Sequence, residues 1–251
     1  MELYNILTKY LLRVMLHIIV ISLIAFALKK KGLALGYDSV IGVVLIVLAG
    51  VSSAFWGIVY QSKYREKSLL QICKDFFDFR QPIKCYLLVL LFLLITFGGT
   101  IWSRGFQVKS IWVPVLLFLK AIAFGGIEEI GWRYTFQPAM ERIVTYIPAV
   151  FLTFLCWGIW HFLFFYIDGS LAGSLNIPFF LLGLLTNCFI LSALYAYSGS
   201  LWICVMTHAL INALSQIEIA SDENIIMGIA LKAVCILLAV GLYFMASRQK
   251  A

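Results

Sequence analysis

The chain has 251 residues, of which 63% are hydrophobic and only 12% are charged, whereas soluble domains carry about 25% charged residues. This composition and a mean hydropathy of +0.99 exclude an ordinary soluble enzyme and predict an all-α, polytopic membrane bundle. The net charge of +7 does not indicate nucleic-acid binding, because the basic residues cluster in short loops between apolar runs, as topology signals do. We therefore expect the lipid bilayer, and no nucleic acid, as a partner.

Eight apolar runs approach the roughly 20 residues that a membrane-spanning helix needs. The predicted spans are residues 10–28, 39–60, 84–102, 111–131, 147–167, 177–197, 200–217 and 225–246. The first run contains Arg13 and His17 and has no small-residue cleavage site after it, so we interpret it as a retained span. His17 is interpreted as a structural residue.

Residues 61–83 differ from the apolar runs. Apolar residues recur there at helical spacing with charges between them, at positions 69, 70, 72, 73, 76 and 77. This pattern predicts a helix lying in the membrane interface. A plain amphipathic connector between two spans is the alternative, and the two interpretations are compatible.

The distribution of lysine and arginine predicts the orientation in the cell membrane. The loops on the side of the two termini hold more of these residues than the loops on the opposite side, so we expect both termini to be cytoplasmic. The basic triplet at residues 29–31 argues in the opposite direction.

The fourth run ends in Phe-Gly-Gly-Ile-Glu-Glu-Ile-Gly-Trp-Arg, with Glu128, Glu129 and Arg133. Each carboxylate at the centre of a bilayer costs roughly 3 kcal/mol on insertion scales. On a regular helix of about 100° per residue, Glu129 and Arg133 share a face and are predicted to form an ion pair, while Glu128 is rotated away. This spacing favours Glu128 as a general base. The alternative is a purely architectural ion pair.

Two later spans each carry a histidine. His161 has Trp157 and Phe165 four residues away on either side, which predicts an aromatic wall around it. His208 and Asn212 are also four residues apart, so their side chains project from one face and could donate two hydrogen bonds to an oxyanion. Taken singly, a histidine in an apolar helix, such as His161, is more often a packed residue that is hydrogen-bonded across helices. The His208–Asn212 pair is equally typical of a polar clasp between helices.

The order of these residues on three spans is more specific than any one of them. Glu-Glu-x-x-x-Arg, then the histidine at 161, then His-x-x-x-Asn resembles the CPBP or Abi family of intramembrane proteases. That family includes the type II CAAX prenyl endopeptidases and bacterial relatives linked to bacteriocin maturation and self-immunity. Trp157 stands where the family usually has Phe. The resemblance covers about residues 111–217, which divides the chain into N-terminal helices (1–110), a protease-like core (111–217) and a C-terminal helix with a short tail (218–251).

The resemblance implies hydrolysis of a peptide bond within the membrane. The substrate would be a membrane-associated or prenylated protein or peptide, as in CAAX-type processing or the maturation of a bacteriocin or pheromone precursor. By family analogy, Glu128 would activate water with the aid of His161, and His208 and Asn212 would stabilise the oxyanion. Glu129 and Arg133 complete the predicted catalytic set.

The resemblance leaves the cofactor open. Family members are often called metalloproteases, and zinc would have Glu128, His161 and His208 as candidate ligands. A metal-free glutamate mechanism is equally compatible with the family, and the absence of an H-E-x-x-H motif favours it slightly.

Two other functions compete with proteolysis. A transporter could use buried Glu, His and Arg as a relay, and a non-enzymatic bacteriocin self-immunity protein could keep the same residues for structure. The predicted depths also conflict, because Glu128 lies near the end of its span and the histidines lie deeper, by roughly 10 Å at the helical rise. Either helical backbone continues past Trp132 towards Pro138, or Pro148 starts the fifth span late.

Overall fold

The computed structural model describes residues 2–105, 108, 110–172, 175–217 and 225–250, and these contain helices but no strand. The predicted all-α membrane bundle is confirmed. The described residues form nine main helices: α1 Leu3–Lys30, α2 Val40–Tyr64, α3 Leu69–Phe76, α4 Ile83–Arg104, α5 Trp112–Phe124, α6 Tyr146–Asp168, α7 Ile177–Ser198, α8 Leu201–Ile217 and α9 Ile225–Lys250.

All eight predicted spans coincide with helices, but they are not equal in length. Six helices of the described chain are long and apolar enough to cross a membrane, namely α1, α2, α4, α6, α7 and α9. The fourth span, α5, has 13 residues and rises only about 20 Å, less than the roughly 30 Å of a hydrocarbon core. The seventh, α8, has 17 residues and is also short. The predicted bundle of about eight apolar helices thus consists of six helices of spanning length and two shorter ones, α5 and α8, in the described chain.

The prediction of one regular helix over residues 111–131 was wrong because the chain changes its helical type after α5. A 3₁₀ turn at Gly126–Glu128 is followed by α-helix at Glu129–Gly131, a π-helix at Trp132–Phe136 and α-helix at Gln137–Glu141. We call residues 126–141 the broken helix. Changes of this kind within a helix are frequent at functional sites.

The broken helix also decides between the two explanations of the depth conflict. Helical backbone continues past Trp132 to Glu141, and Pro138 lies at the start of the last α-helical piece, where its missing N–H costs little. The following helix, α6, already begins at Tyr146, ahead of Pro148. The first explanation is therefore the one that the backbone follows.

The predicted amphipathic helix is α3. Ile72 and Phe76 are buried, whereas Leu69 and Leu70 are 59% and 65% exposed. Its position in the membrane interface stays a prediction. Gln61 lies at the end of α2 instead of in α3, and it is buried.

The chain groups into two compact units, and the first comprises residues 1–69 and 130–184. In this unit α1, α2 and α6 pack on one another and on the second half of the broken helix. The Trp160 indole N–H of α6 donates to the Ser52 hydroxyl of α2 at 2.8 Å. The rings of Tyr10, Trp132 and Phe136 pack together with centroids about 6 Å apart.

The second unit comprises residues 70–129 and 185–251. Here α5 packs along α8, and α4 contacts both α8 and α9. A Cβ added at Gly126 would lie 2.8 Å from a methyl carbon of Val205, so the start of the broken helix passes α8 at a distance that a side chain would prevent. The sequence-based division at residues 110 and 217 stays a prediction, and residues 218–224 lie outside the described part of the chain.

Two glycines in the first unit allow α2 and the broken helix to touch through their backbones. A Cβ on Gly131 would lie 2.6 Å from the Ser53 carbonyl oxygen, and one on Gly57 would lie 2.9 Å from the Ile130 carbonyl oxygen. Contacts this close have no room for a methyl group, so these positions require glycine.

We therefore predict that Gly131→Ala lowers the free energy of unfolding by about 1–3 kcal/mol, as overpacking against fixed backbone does. Gly183→Ala is the matched control, since a Cβ at this helical glycine meets nothing within 4 Å and alanine favours a helix by up to about 1 kcal/mol. Thermal unfolding of the purified proteins in detergent measures both. Equal melting temperatures for the two variants would contradict the close approach.

Candidate active site

The main polar contact of the second unit joins Glu129 of the broken helix to His208 of α8. The Nδ1 atom of His208 lies 2.7 Å from the Oε1 atom of Glu129. Glu129 is fully buried and His208 is 4% exposed. A buried carboxylate requires a close partner, and this contact also fixes the orientation of the imidazole ring, with Nε2 at the opposite edge.

Asn212 and the second nitrogen of His208 converge on the end of α5. A Cβ added at Gly125 would contact the Nδ2 atom of Asn212 and would lie 3.2 Å from the Nε2 atom of His208. Two nitrogen atoms that can carry hydrogen therefore face one point of the backbone. His208 and Asn212 were predicted from the sequence, but Gly125 was not. The Gly-Gly pair just before the two glutamates could have indicated a close approach of the backbone at this position.

Glu128 belongs to the same short stretch. It is 6% exposed, and its backbone N–H donates to the Gly125 carbonyl at 3.0 Å. This 3₁₀ hydrogen bond ties Glu128 to the glycine that Asn212 and His208 approach. Four of the six predicted site residues, Glu128, Glu129, His208 and Asn212, thus lie in the second unit.

Arg133 and His161 lie in the first unit, where Trp157 contacts both. Arg133 is fully buried, and its guanidinium carbon lies 4.2 Å from the centroid of the Trp157 ring, which is a cation–π contact. The His161 ring centroid lies 5.1 Å from that of the same tryptophan. The predicted ion pair between Glu129 and Arg133 stays a prediction, and the regular helix on which its geometry rested is replaced by the start of the π-helix.

The hydrogen bonding of His161 determines its tautomer. Its Nδ1 atom lies 2.9 Å from the Trp157 carbonyl oxygen one turn earlier in α6. A carbonyl only accepts hydrogen bonds, so Nδ1 carries the hydrogen and the lone pair of the neutral ring is on Nε2. The rings of Trp157, Trp160, Phe165 and Phe180 lie 5.1–5.6 Å from His161, and the expected aromatic wall includes two rings beyond the predicted pair.

Two side chains satisfy backbone carbonyls in the middle of the broken helix, one in the π-helix and one in the α-helical piece before it. The Gln61 amide donates to the Tyr134 carbonyl at 2.6 Å and to the Thr135 hydroxyl at 3.1 Å. The Thr135 hydroxyl donates to the Ile130 carbonyl at 2.8 Å. Gln61 thereby holds the backbone that follows the two glutamates. This role was not predicted from the sequence, because Gln61 was assigned to the interfacial segment of residues 61–83.

The donor set gives no direct support to a metal centre. In the described residues no three His, Cys, Asp or Glu side chains form a group that could hold a metal ion. We therefore derive no step of the reaction from a metal ion bound by the candidate ligands Glu128, His161 and His208.

The match with a family model falls on the part of the chain that contains the six predicted site residues. Residues 110–214 match the sequence model of the family described as type II CAAX prenyl endopeptidase Rce1-like. The chain is also 35% identical over 89 residues to CAAX prenyl protease 2 of Methanococcus maripaludis, a stretch that covers 34% of this chain and 32% of that protein. The chain thus matches about a third of the length of this curated relative. Residues 110–214 are therefore similar to the Rce1-like family, in agreement with the resemblance of the motifs.

Proposed function

We propose that this chain is an intramembrane endopeptidase. The proposal is carried by the buried Glu129–His208 contact, together with Asn212, whose side chain approaches Gly125 as His208 Nε2 does. These two residues supply two potential oxyanion donors close to the glutamate pair. These residues all lie within the segment that matches the Rce1-like family. A relay in a transporter has no need of two nitrogen donors converging on one point.

The proposed substrate is a membrane-associated or prenylated protein or peptide. The relative from Methanococcus maripaludis carries the name CAAX prenyl protease 2, which supports a lipidated C-terminal peptide. The maturation of a bacteriocin or pheromone precursor belongs to the same chemical class, since each requires hydrolysis of a peptide bond close to the bilayer.

In the proposed reaction Glu128 takes a proton from water, and the resulting hydroxide attacks the carbonyl carbon of the scissile peptide. The resemblance gives His161 the assisting role, and the lone pair on Nε2 of its neutral ring is able to accept a hydrogen bond. The tetrahedral intermediate then loses the amine, and the proton held by Glu128 passes to the departing nitrogen. The net reaction adds one water across one peptide bond.

His208 and Asn212 are proposed to bind the oxygen that becomes negative in this intermediate. His208 can donate from Nε2 only if that nitrogen carries a hydrogen, while its Nδ1 is already hydrogen-bonded to Glu129. Glu129 holds the ring through Nδ1 and so directs Nε2 at the developing oxyanion. We assign Glu129 this orienting role, much as a carboxylate orients a catalytic histidine in other hydrolases.

Glu128→Gln is expected to abolish turnover while the protein stays folded, because the amide cannot accept the proton of water. Comparative peptidomics of cells that express the wild type or the variant measures the loss of cleavage products and identifies the substrate. Glu66→Gln, at an exposed carboxylate outside the matched segment, is the control and should behave as wild type. Cleavage by Glu128→Gln at a near wild-type rate would contradict both the base assignment and the proposed mechanism.

Asn212→Ala is expected to lower the rate of cleavage by about 100- to 1,000-fold, the usual loss for one oxyanion donor. Substrate binding should change little, since the charge develops only in the transition state. The control is Gln216→Ala, because Gln216 is exposed one turn further along α8. A weaker affinity with an unchanged catalytic rate would assign Asn212 to substrate binding instead.

Glu129 and His208 are expected to act as one unit, which a double-mutant cycle tests. Glu129→Gln should lower the catalytic rate when His208 is present, because the imidazole ring loses the carboxylate that orients it. The same change should have much less effect when His208 is already alanine, as strongly non-additive effects indicate residues acting through each other. Rate losses that simply add would show that Glu129 acts independently of His208.

Whether cleavage requires a bound metal ion can be measured directly. A glutamate mechanism predicts that the purified, active protein contains far less than one metal ion per chain and keeps its activity in the presence of a chelator. Elemental analysis and a chelator titration on one preparation give both values. Near-stoichiometric zinc together with chelator-sensitive cleavage would overturn the metal-free mechanism and would require a different base.

A further inference from the structure

A groove on the first unit combines one cation with an apolar wall. Its volume is about 380 Å³, and it is lined by Arg13, Leu16, His17, Val20, Ile21 and Trp56. Leu16 and Val20 are each 51% exposed. All six residues belong to α1 and α2, two helices long and apolar enough to cross a membrane, so the groove faces a region where the surrounding medium is lipid.

Arg13 supplies the charge of this groove. Its guanidinium carbon lies 5.1 Å from the centroid of the Trp56 ring, which holds the cation without neutralising it. Among the described residues no carboxylate forms an ion pair with Arg13. A charge near hydrocarbon is costly without a counter-charge, so an anion from outside the chain is the expected partner.

His17 keeps the structural role that its sequence context indicates. Its ring packs edge-on against Phe55 of α2, with centroids 6.5 Å apart. It therefore connects α1 to α2 along the floor of the groove and leaves recognition of an anion to Arg13.

The position of Arg13 along α1 places it at the level of lipid headgroups. Arg13 and the basic pair at Lys29 and Lys30 near the other end of α1 are separated by about 24 Å at the helical rise. This distance is close to the thickness of the hydrocarbon core. Leu16, Val20 and Ile21 lie further towards the membrane centre, so the groove is cationic at its outer end and apolar at its inner end.

We propose that this groove binds one anionic phospholipid, with its phosphate on Arg13 and an acyl chain along Leu16 and Val20. A guanidinium matches the geometry of phosphate oxygens, and basic sites between membrane helices bind lipid headgroups in this manner. The predicted cytoplasmic N-terminus places Arg13 in the leaflet that contains anionic lipids. A free phosphate ion would leave the apolar wall unused.

The test measures lipid binding by the full chain in detergent, with native mass spectrometry as the readout. Phosphatidylglycerol and phosphatidylcholine with identical acyl chains are the two probes. We expect the wild type to prefer phosphatidylglycerol by about tenfold, the equivalent of one charge-assisted hydrogen bond. Arg13→Gln should remove this preference, Arg13→Lys should keep most of it, and Lys9→Gln, at the same end of α1, should leave it unchanged.

A second pair of variants tests the apolar wall and does not depend on the folding of Arg13→Gln. Leu16→Trp fills the groove and should lower phosphatidylglycerol binding, whereas Ile19→Trp, at a residue 39% exposed on the same helix and outside the groove, should not. Equal binding of the two lipids by the wild type would overturn the proposal. Loss of binding in both tryptophan variants would do so as well. Displacement of the lipid by millimolar inorganic phosphate would reassign the groove to a free anion.

Discussion

The absence of water in the hydrocarbon of a bilayer is the constraint on which this structure depends. Any charged or polar group that enters needs a partner, which is either another group of the protein or a bound ligand. Glu129 meets this requirement through His208, and Arg133 meets part of it through the face of Trp157.

The broken helix is the local solution that brings these partners into place. A regular α-helix from residue 111 to residue 141 would satisfy its own backbone without any help from side chains. Glycines instead occupy positions 125 and 126, where α8 approaches closely. Further along the broken helix, the side chains of Gln61 and Thr135 donate hydrogen bonds to backbone carbonyls. The cost of the irregular backbone is thus offset by side-chain hydrogen bonds, which is typical of helices interrupted at membrane depth.

The positions of the helices could be predicted from the sequence, because an apolar run of sufficient length has few alternatives in a membrane. The candidate residues could also be found, since Glu128, Glu129, His161 and His208 are conspicuous in apolar surroundings. The contact between Glu129 and His208 could not be predicted. A constant rotation of 100° per residue predicts a partner for Glu129 on its own helix. The observed partner is on α8, 79 residues further along the chain. The roles of Gly125 and Gln61 likewise depend on contacts between helices, which local patterns do not contain.

Trp157 illustrates how one substitution within a family motif can follow from packing. The family usually has phenylalanine here, and either ring would pack against a histidine. In this chain the ring also supports the buried guanidinium of Arg133, and tryptophan has the aromatic face that binds cations best. The backbone carbonyl of the same residue accepts the hydrogen of His161 Nδ1 and thereby keeps the lone pair on Nε2. One residue thus positions a buried cation with its side chain and determines the tautomer of a proposed catalytic histidine with its main chain. A change of side chain at Trp157 would consequently affect Arg133 more than the tautomer of His161, because the carbonyl remains whatever the side chain is.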